Sequence, residues 1–126
     1  MRAYTVATTA VTIGVTRKWV DNVLSHHRVL GVLQERQGIV RRVTPTGLMT
    51  LEISASLVRA MNIPIAQALE IAAHLIAMKG TEFQIPGALA IRISADIDAI
   101  GDELNVRLER AIEISPTPKR GRPRRK

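Results

Sequence analysis

The chain has 126 residues, with 18 Lys and Arg against 11 Asp and Glu, no cysteine, 46% apolar residues and only 2% aromatic. A chain of this length buries roughly two-thirds of its unfolded surface, enough for one domain with an aliphatic core. The absence of cysteine excludes a disulfide-framed module, a thiol enzyme and a thiolate metal site, and no apolar run approaches the roughly 18 residues that span a bilayer. The expected compartment is a reducing cytoplasm, with no membrane partner.

The net charge of +7 is segregated: +5 over the first 50 residues, −4 from Leu51 to Pro118 and +6 over the last eight. Basic ends around an acidic middle suggest a polyanion at the ends and protein or self-association in the middle; the plainer alternative is a solubilising tail.

In chain order, Val6 to Gly14 reads as a short helix closed by glycine, and Thr16 offers a hydroxyl cap to a second helix reaching about His27. On that helix Trp19, Val20, Val23, Leu24 and His27 form one inward stripe, leaving Arg17, Lys18, Asp21, Asn22, Ser25 and His26 on the other side. Residues 32–43 hold two β-prone runs around a glycine turn and read as a hairpin carrying Arg36, Arg41 and Arg42. Thr44-Pro45 opens a third helix with two apolar stripes, Leu48, Leu51, Ala55 and Val58 beside Ile53, Leu57 and Met61. After the Asn62-Ile63-Pro64 break, Ile65, Leu69, Ala72 and Ile76 mark a fourth helix ending near Gly80, so these two should form a helical hairpin.

Periodicity is lost from Thr81 to Gly87. Leu89, Ile91 and Ile93 then alternate with polar or small neighbours like a half-buried strand, which must pair within the chain or with a second copy. Ile97, Ile100, Leu104, Leu108, Ala111 and Ile112 mark a last amphipathic helix, followed by the stiff linker Ser115-Pro-Thr-Pro118 and a basic tail with nothing to bury.

The most specific constellation is Ala10, Gly14, Val15, Val20 and Val23. A small residue admits the crossing helix, glycine takes the turn, and three valines pack the crossing. This spacing is similar to the DNA-binding helix-turn-helix signature. With the basic hairpin and the helices after it, residues 4–78 resemble the MerR-like and excisionase-like winged helix-turn-helix group. The resemblance implies that Arg17, Lys18, Asn22, Ser25 and His26 face the major groove, and that Arg36, Arg41 and Arg42 hold the backbone or minor groove. Asn22 is then suited to adenine, and Arg17 or Lys18 to guanine or phosphate. The plainer reading of these residues is a solvated helix face and hairpin.

The tail matches the AT-hook core in Arg120, Gly121, Arg122 and Pro123. Glycine permits close approach to the floor of the minor groove, proline sets the exit direction, and arginines meet the strong negative potential of a narrow A·T-rich groove. A nonspecific basic arm is the simpler alternative.

Catalysis finds little support. No phosphate loop, nucleophile elbow or His-Glu-x-x-His pair occurs; Glu70 and His74 fit a solvated helix face, and His26 and His27 diverge on their helix. No cofactor and no small-molecule effector is expected.

The sequence thus predicts a mostly α fold with a small β component. A winged helix-turn-helix over 1–79 is followed by a strand and amphipathic helix over 80–114 that dimerise it, and by a disordered AT-hook-like tail over 115–126. The expected role is a nucleoid-associated transcriptional regulator that binds double-stranded DNA as a homodimer. An architectural or recombination accessory protein, and an antitoxin-like interaction module, are the alternatives.

Overall fold

A computed structural model describes residues 2–33, 41–80, 82–85, 87 and 91–114. These form five helices and two short antiparallel strand pairs: α1 (Val6–Ile13), α2 (Arg17–His26), β1 (Val32–Leu33), β2 (Arg42–Val43), α3 (Pro45–Met61), α4 (Ile65–Ala77), β3 (Phe83–Gln84), β4 (Arg92–Ile93) and α5 (Ile97–Ile114). The predominance of helix agrees with the sequence reading.

Local chemistry sets the boundaries. Thr5 caps α1 by accepting from the Thr8 amide, and Gly14 closes it in the left-handed region at φ 75°, donating its N–H to Ala10. A side chain is strained at that φ, so glycine is the residue for this turn. Two residues later the Thr16 hydroxyl accepts from the Trp19 amide at 3.0 Å and starts α2. Thr44 caps α3 through the Gly47 amide with Pro45 in the first turn, and Asn62 ends α3 at φ 55°.

α1 carries buried threonines. Thr9 and Thr12 return their hydroxyls to the carbonyls of Thr5 and Thr8 at 2.8 and 2.7 Å, so each polar group enters the core already satisfied. This lets α1 pack on α2, α3, β2 and α5.

β2 ties the amino-terminal half together. Val43 is fully buried, pairs with Val32 of β1, and exchanges two backbone hydrogen bonds with Tyr4, at 2.8 and 2.9 Å. Beside it the Gly31 carbonyl accepts from both the amide and the hydroxyl of Thr44, which draws the loop before β1 onto the start of α3. At Gly47 an added Cβ would stand 2.5 Å from the Gly31 carbonyl oxygen and 2.9 Å from a Val43 methyl.

The core consists of two clusters. Ala10, Val20, Val23, Val43, Leu51, Leu104 and Leu108 belong to the first. Ile53, Leu57, Ala68, Ile71 and Leu75 belong to the second, between α3 and α4, and Met49 and Ile100 pack against both. Since Leu104 and Leu108 share a cluster with Ala10 and Val20, the core does not divide at residue 79.

This placement corrects several expectations. β4 pairs with β3 of its own chain, Phe83 opposite Ile93 and Gln84 opposite Arg92, within a stretch expected to lack a strand. α5 packs on α1 and α3. β4 thus finds a partner strand within the chain, and the Leu104, Leu108 and Ala111 side of α5 is buried within it, while Val106 and Ile112 are exposed. Ile91, Met61 and Ile112, assigned to inward stripes, are exposed. On α4 the deepest residues are Ala68, Ile71, Ala72 and Leu75, with Ile65 and Ile76 only partly buried, because α4 is covered by α3 and also by β3.

Among the described residues one ion pair joins two helices: Arg107 of α5 reaches Glu52 of α3 at 3.4 Å while also holding Glu103 at 3.1 Å. Burial pushes the Glu52 carboxyl above the ordinary carboxylate range, more than Arg107, the Ser56 hydroxyl and Arg59 pull it down.

Two predictions follow from this packing. Gly47→Ala would stabilise an open helix by about 1 kcal/mol, but here it should destabilise by about 1 to 3 kcal/mol in urea unfolding, because its methyl meets backbone. Because the folded chain favours neutral Glu52, the cost of ionising it is absent below the unfolded pKa and complete once pH exceeds the raised one. Glu52→Gln should thus improve stability more at about pH 7 than at about pH 4, as melting curves at the two pH values will show.

Candidate nucleic-acid interface

α2 is placed by the small, close crossing that its sequence spacing suggests. Ala10, Val20 and Val23 are all buried, Val15 packs against the same cluster, and the Gly14 and Val15 amides both donate to the Ala10 carbonyl. With Val20, Val23 and Leu24 inward, helical geometry sends positions 18, 22 and 25 the other way and 26 to the flank, while Arg17, one turn before Val20, projects from the exposed first turn at the edge of the inward side. Arg17, Lys18, Asn22, Ser25 and His26 are all exposed. No ion pair engages Arg17 or Lys18 among the described residues, so their charge is available to a ligand.

Two details refine this face. His26 Nδ1 lies 2.9 Å from the Asn22 carbonyl oxygen. That oxygen can only accept, so Nδ1 carries a proton and is spent on the helix backbone, and Nε2 is the ring nitrogen left for an outside partner. Asp21, half-buried on the same helix, sets a carboxylate one turn from Arg17 and Lys18, so the face is mixed in sign.

Trp19 is half-buried and packs against the core, in keeping with a packing role. Together with Asn22, Val23, His26, His27 and Ile65 it lines a shallow groove of about 240 Å³. Ile65 opens α4, so the start of that helix borders the α2 face. Sequence reasoning gave Ile65 only a core role, since the proximity of α4 to α2 has no local signature.

The hairpin contributes Arg42, exposed on β2, and Arg41, half-buried with its Nε shielded from solvent and without a hydrogen-bond partner. Arg36 lies outside the described residues, as do Arg120, Gly121, Arg122 and Pro123. The structure thus brings Arg17, Lys18, Asn22, Ser25 and His26 together on one helix, with Arg41 and Arg42 on the neighbouring hairpin.

Elsewhere, Glu70 and His74 are exposed on α4, and the His74 ring meets Phe83 edge-on at 4.7 Å. Among the described residues no group of three or more His, Cys, Asp or Glu could hold a metal, and no helix is long and apolar enough to cross a membrane. Comparison with known proteins finds no matching family model, no matching curated protein and no matching solved structure.

Proposed function

We propose that the chain binds double-stranded DNA and acts as a transcriptional regulator, with α2 in the major groove and the β1–β2 hairpin as a flanking wing. The observation that carries this reading is the exposed stripe of α2. Five exposed polar side chains, two of them cations without an ion pair among the described residues, stand on a helix whose inner side is locked by the Ala10–Val20–Val23 crossing, Lys18, Asn22 and Ser25 opposite that crossing and Arg17 and His26 at its flanks. A rigid helix presenting hydrogen-bonding side chains is what groove recognition requires, because base edges are read within tenths of an ångström. In this reading the role is binding and not catalysis.

Each residue then has a distinct task. Arg17 and Lys18 sit in the first turn of α2, where a side chain reaches either a guanine edge or a phosphate. Asn22 offers the paired donor and acceptor that match adenine, and His26 presents Nε2, its ring nitrogen not tied to the helix, to the groove. Arg41 and Arg42 supply backbone contacts. The tail, joined through Ser115-Pro-Thr-Pro118, adds a second attachment in the minor groove and raises affinity by effective concentration.

A second reading, an architectural or recombination accessory protein, gains support from the way β4 and α5 are used inside the chain. With β4 paired to β3 of its own chain, one copy can act on a single site, and the basic arm can dominate binding. Footprinting separates the two: a discrete protected operator supports the regulator, and dispersed protection with bending of many A·T-rich sites supports the architectural role.

Asn22→Ala and Arg17→Ala should each cost about 1 to 3 kcal/mol at the preferred site and relax base preference there, measured by competition binding on a randomised duplex library. Truncation after Pro118 should instead weaken all duplexes, flatten the salt dependence and erase any preference for A·T-rich flanks in fluorescence anisotropy titrations. Unchanged salt slope and unchanged flank preference would show that the tail does not enter the minor groove.

A further inference from the structure

On the side of the molecule formed by α3, α4, β4 and α5 lies a groove that the nucleic-acid reading does not use. Its volume is about 230 Å³, the space of roughly eight liquid waters, which suits a ligand smaller than a typical drug. Ile53, Leu57 and Leu75, all buried, contribute to its lining together with Ile93 and Ile100. The polar groups are few: Ser56, Ser94 and the carboxylate of Glu52, which is the one ionisable side chain among the described residues that line it.

The Glu52 side chain is only 13% exposed. One oxygen faces Arg107 at 3.4 Å and the other accepts from the Ser56 hydroxyl at 3.4 Å, both long contacts. Arg107 is itself shared with Glu103, at the shorter distance of 3.1 Å. One guanidinium thus serves two carboxylates, and Glu52 receives the weaker share. An adjoining groove of about 200 Å³ continues past Glu52 and Ile100 along α5, with Glu103 and Arg107 on its edge. The combination is an apolar trough with an incompletely compensated carboxylate at its side.

We propose that this groove binds a small organic cation, an alkyl- or arylammonium group whose charge meets Glu52 while its hydrocarbon lies over Ile53, Leu57 and Ile100. Charge complementarity selects this occupant. An ammonium supplies the third donor that Glu52 lacks, whereas a carboxylate of the same shape would have to compete for Arg107 with two acidic side chains already present. The raised pKa of Glu52 agrees, since burial outweighs the compensation it receives from Arg107, Ser56 and Arg59. The site is independent of the DNA reading.

The test uses three probes of equal chain length on the full-length protein: n-hexylammonium, n-hexanoate and hexan-1-ol, titrated under amide-resolved NMR. Hexylammonium should give saturable shifts confined to the amides around Ser56, Ser94, Ala95 and Ile100, with a Kd of about 1 mM or tighter, and the other two should bind at least roughly tenfold more weakly. Glu52→Gln, which keeps the shape and removes the charge, should weaken hexylammonium by about tenfold while leaving hexanol unchanged. Ile100→Trp should reduce binding of all three by filling the trough. Equal binding of hexanoate, an unaltered Kd in Glu52→Gln, or shifts spread along the charged surface of α5 without saturation would each overturn the proposal.

Discussion

The burial of α1 is the constraint on which the rest of the architecture depends. An eight-residue helix is far below the length that is stable by itself in water, so α1 exists only because neighbours cover it. α2 crosses it on one side and α5 packs on another, with α3 and β2 adding further contacts and Val11 left exposed. Because α2 takes its position from α1, the exposed face bearing Arg17 and Asn22 is set in part by a helix some 80 residues later in the chain. The amino-terminal helices and the final helix are therefore one cooperative unit, since Leu104 and Leu108 share a core with Val20 and Val23.

The sequence was most readable where chemistry is local. Caps at Thr16 and Thr44, the turn at Gly14 and the stop after Asn62 are written in single residues whose side chains or φ preferences act within one turn, so these helix bounds are legible. The same holds for the outward stripe of α2, which follows from the positions of Val20, Val23 and Leu24. Thr9 and Thr12 carry no such signal. They look like surface residues, yet each hydroxyl is satisfied by the carbonyl four residues back and can be buried at little cost.

What escaped the sequence is non-local. β3 is two residues long, too short for alternation to show, and it is recognisable only through its partner β4. The inward face of α4 was assigned to the stripe that assumes a single buried side. Because α4 lies between α3 and β3, burial moves to Ala68, Ile71 and Leu75, where small residues let α3 approach and the Ser54 hydroxyl reach the Ala68 carbonyl. The Glu52–Arg107 pair spans 55 positions and leaves no pattern at either end. The pairing of β4 has the same character: a strand pattern demands a partner, but pattern alone does not say whether that partner lies in the same chain, as β3 does.

This arrangement also fixes the terms on which the α3–α5 groove could influence the α2 face. α5 borders the groove through Ile100, α3 borders it through Ile53 and Leu57, and both pack on α1, so these two helices are common to both. A ligand shifts an equilibrium only by the difference in its affinity for the two states. A cation that fits the groove as it stands, leaving Arg107 on Glu52, stabilises the whole domain and changes nothing at α2. One that displaces Arg107 releases the single inter-helix ion pair among the described residues and loosens α5 against α3. The α1–α2 crossing has no part in that pair, so any effect at the α2 face is set by how far α5 carries α1 with it.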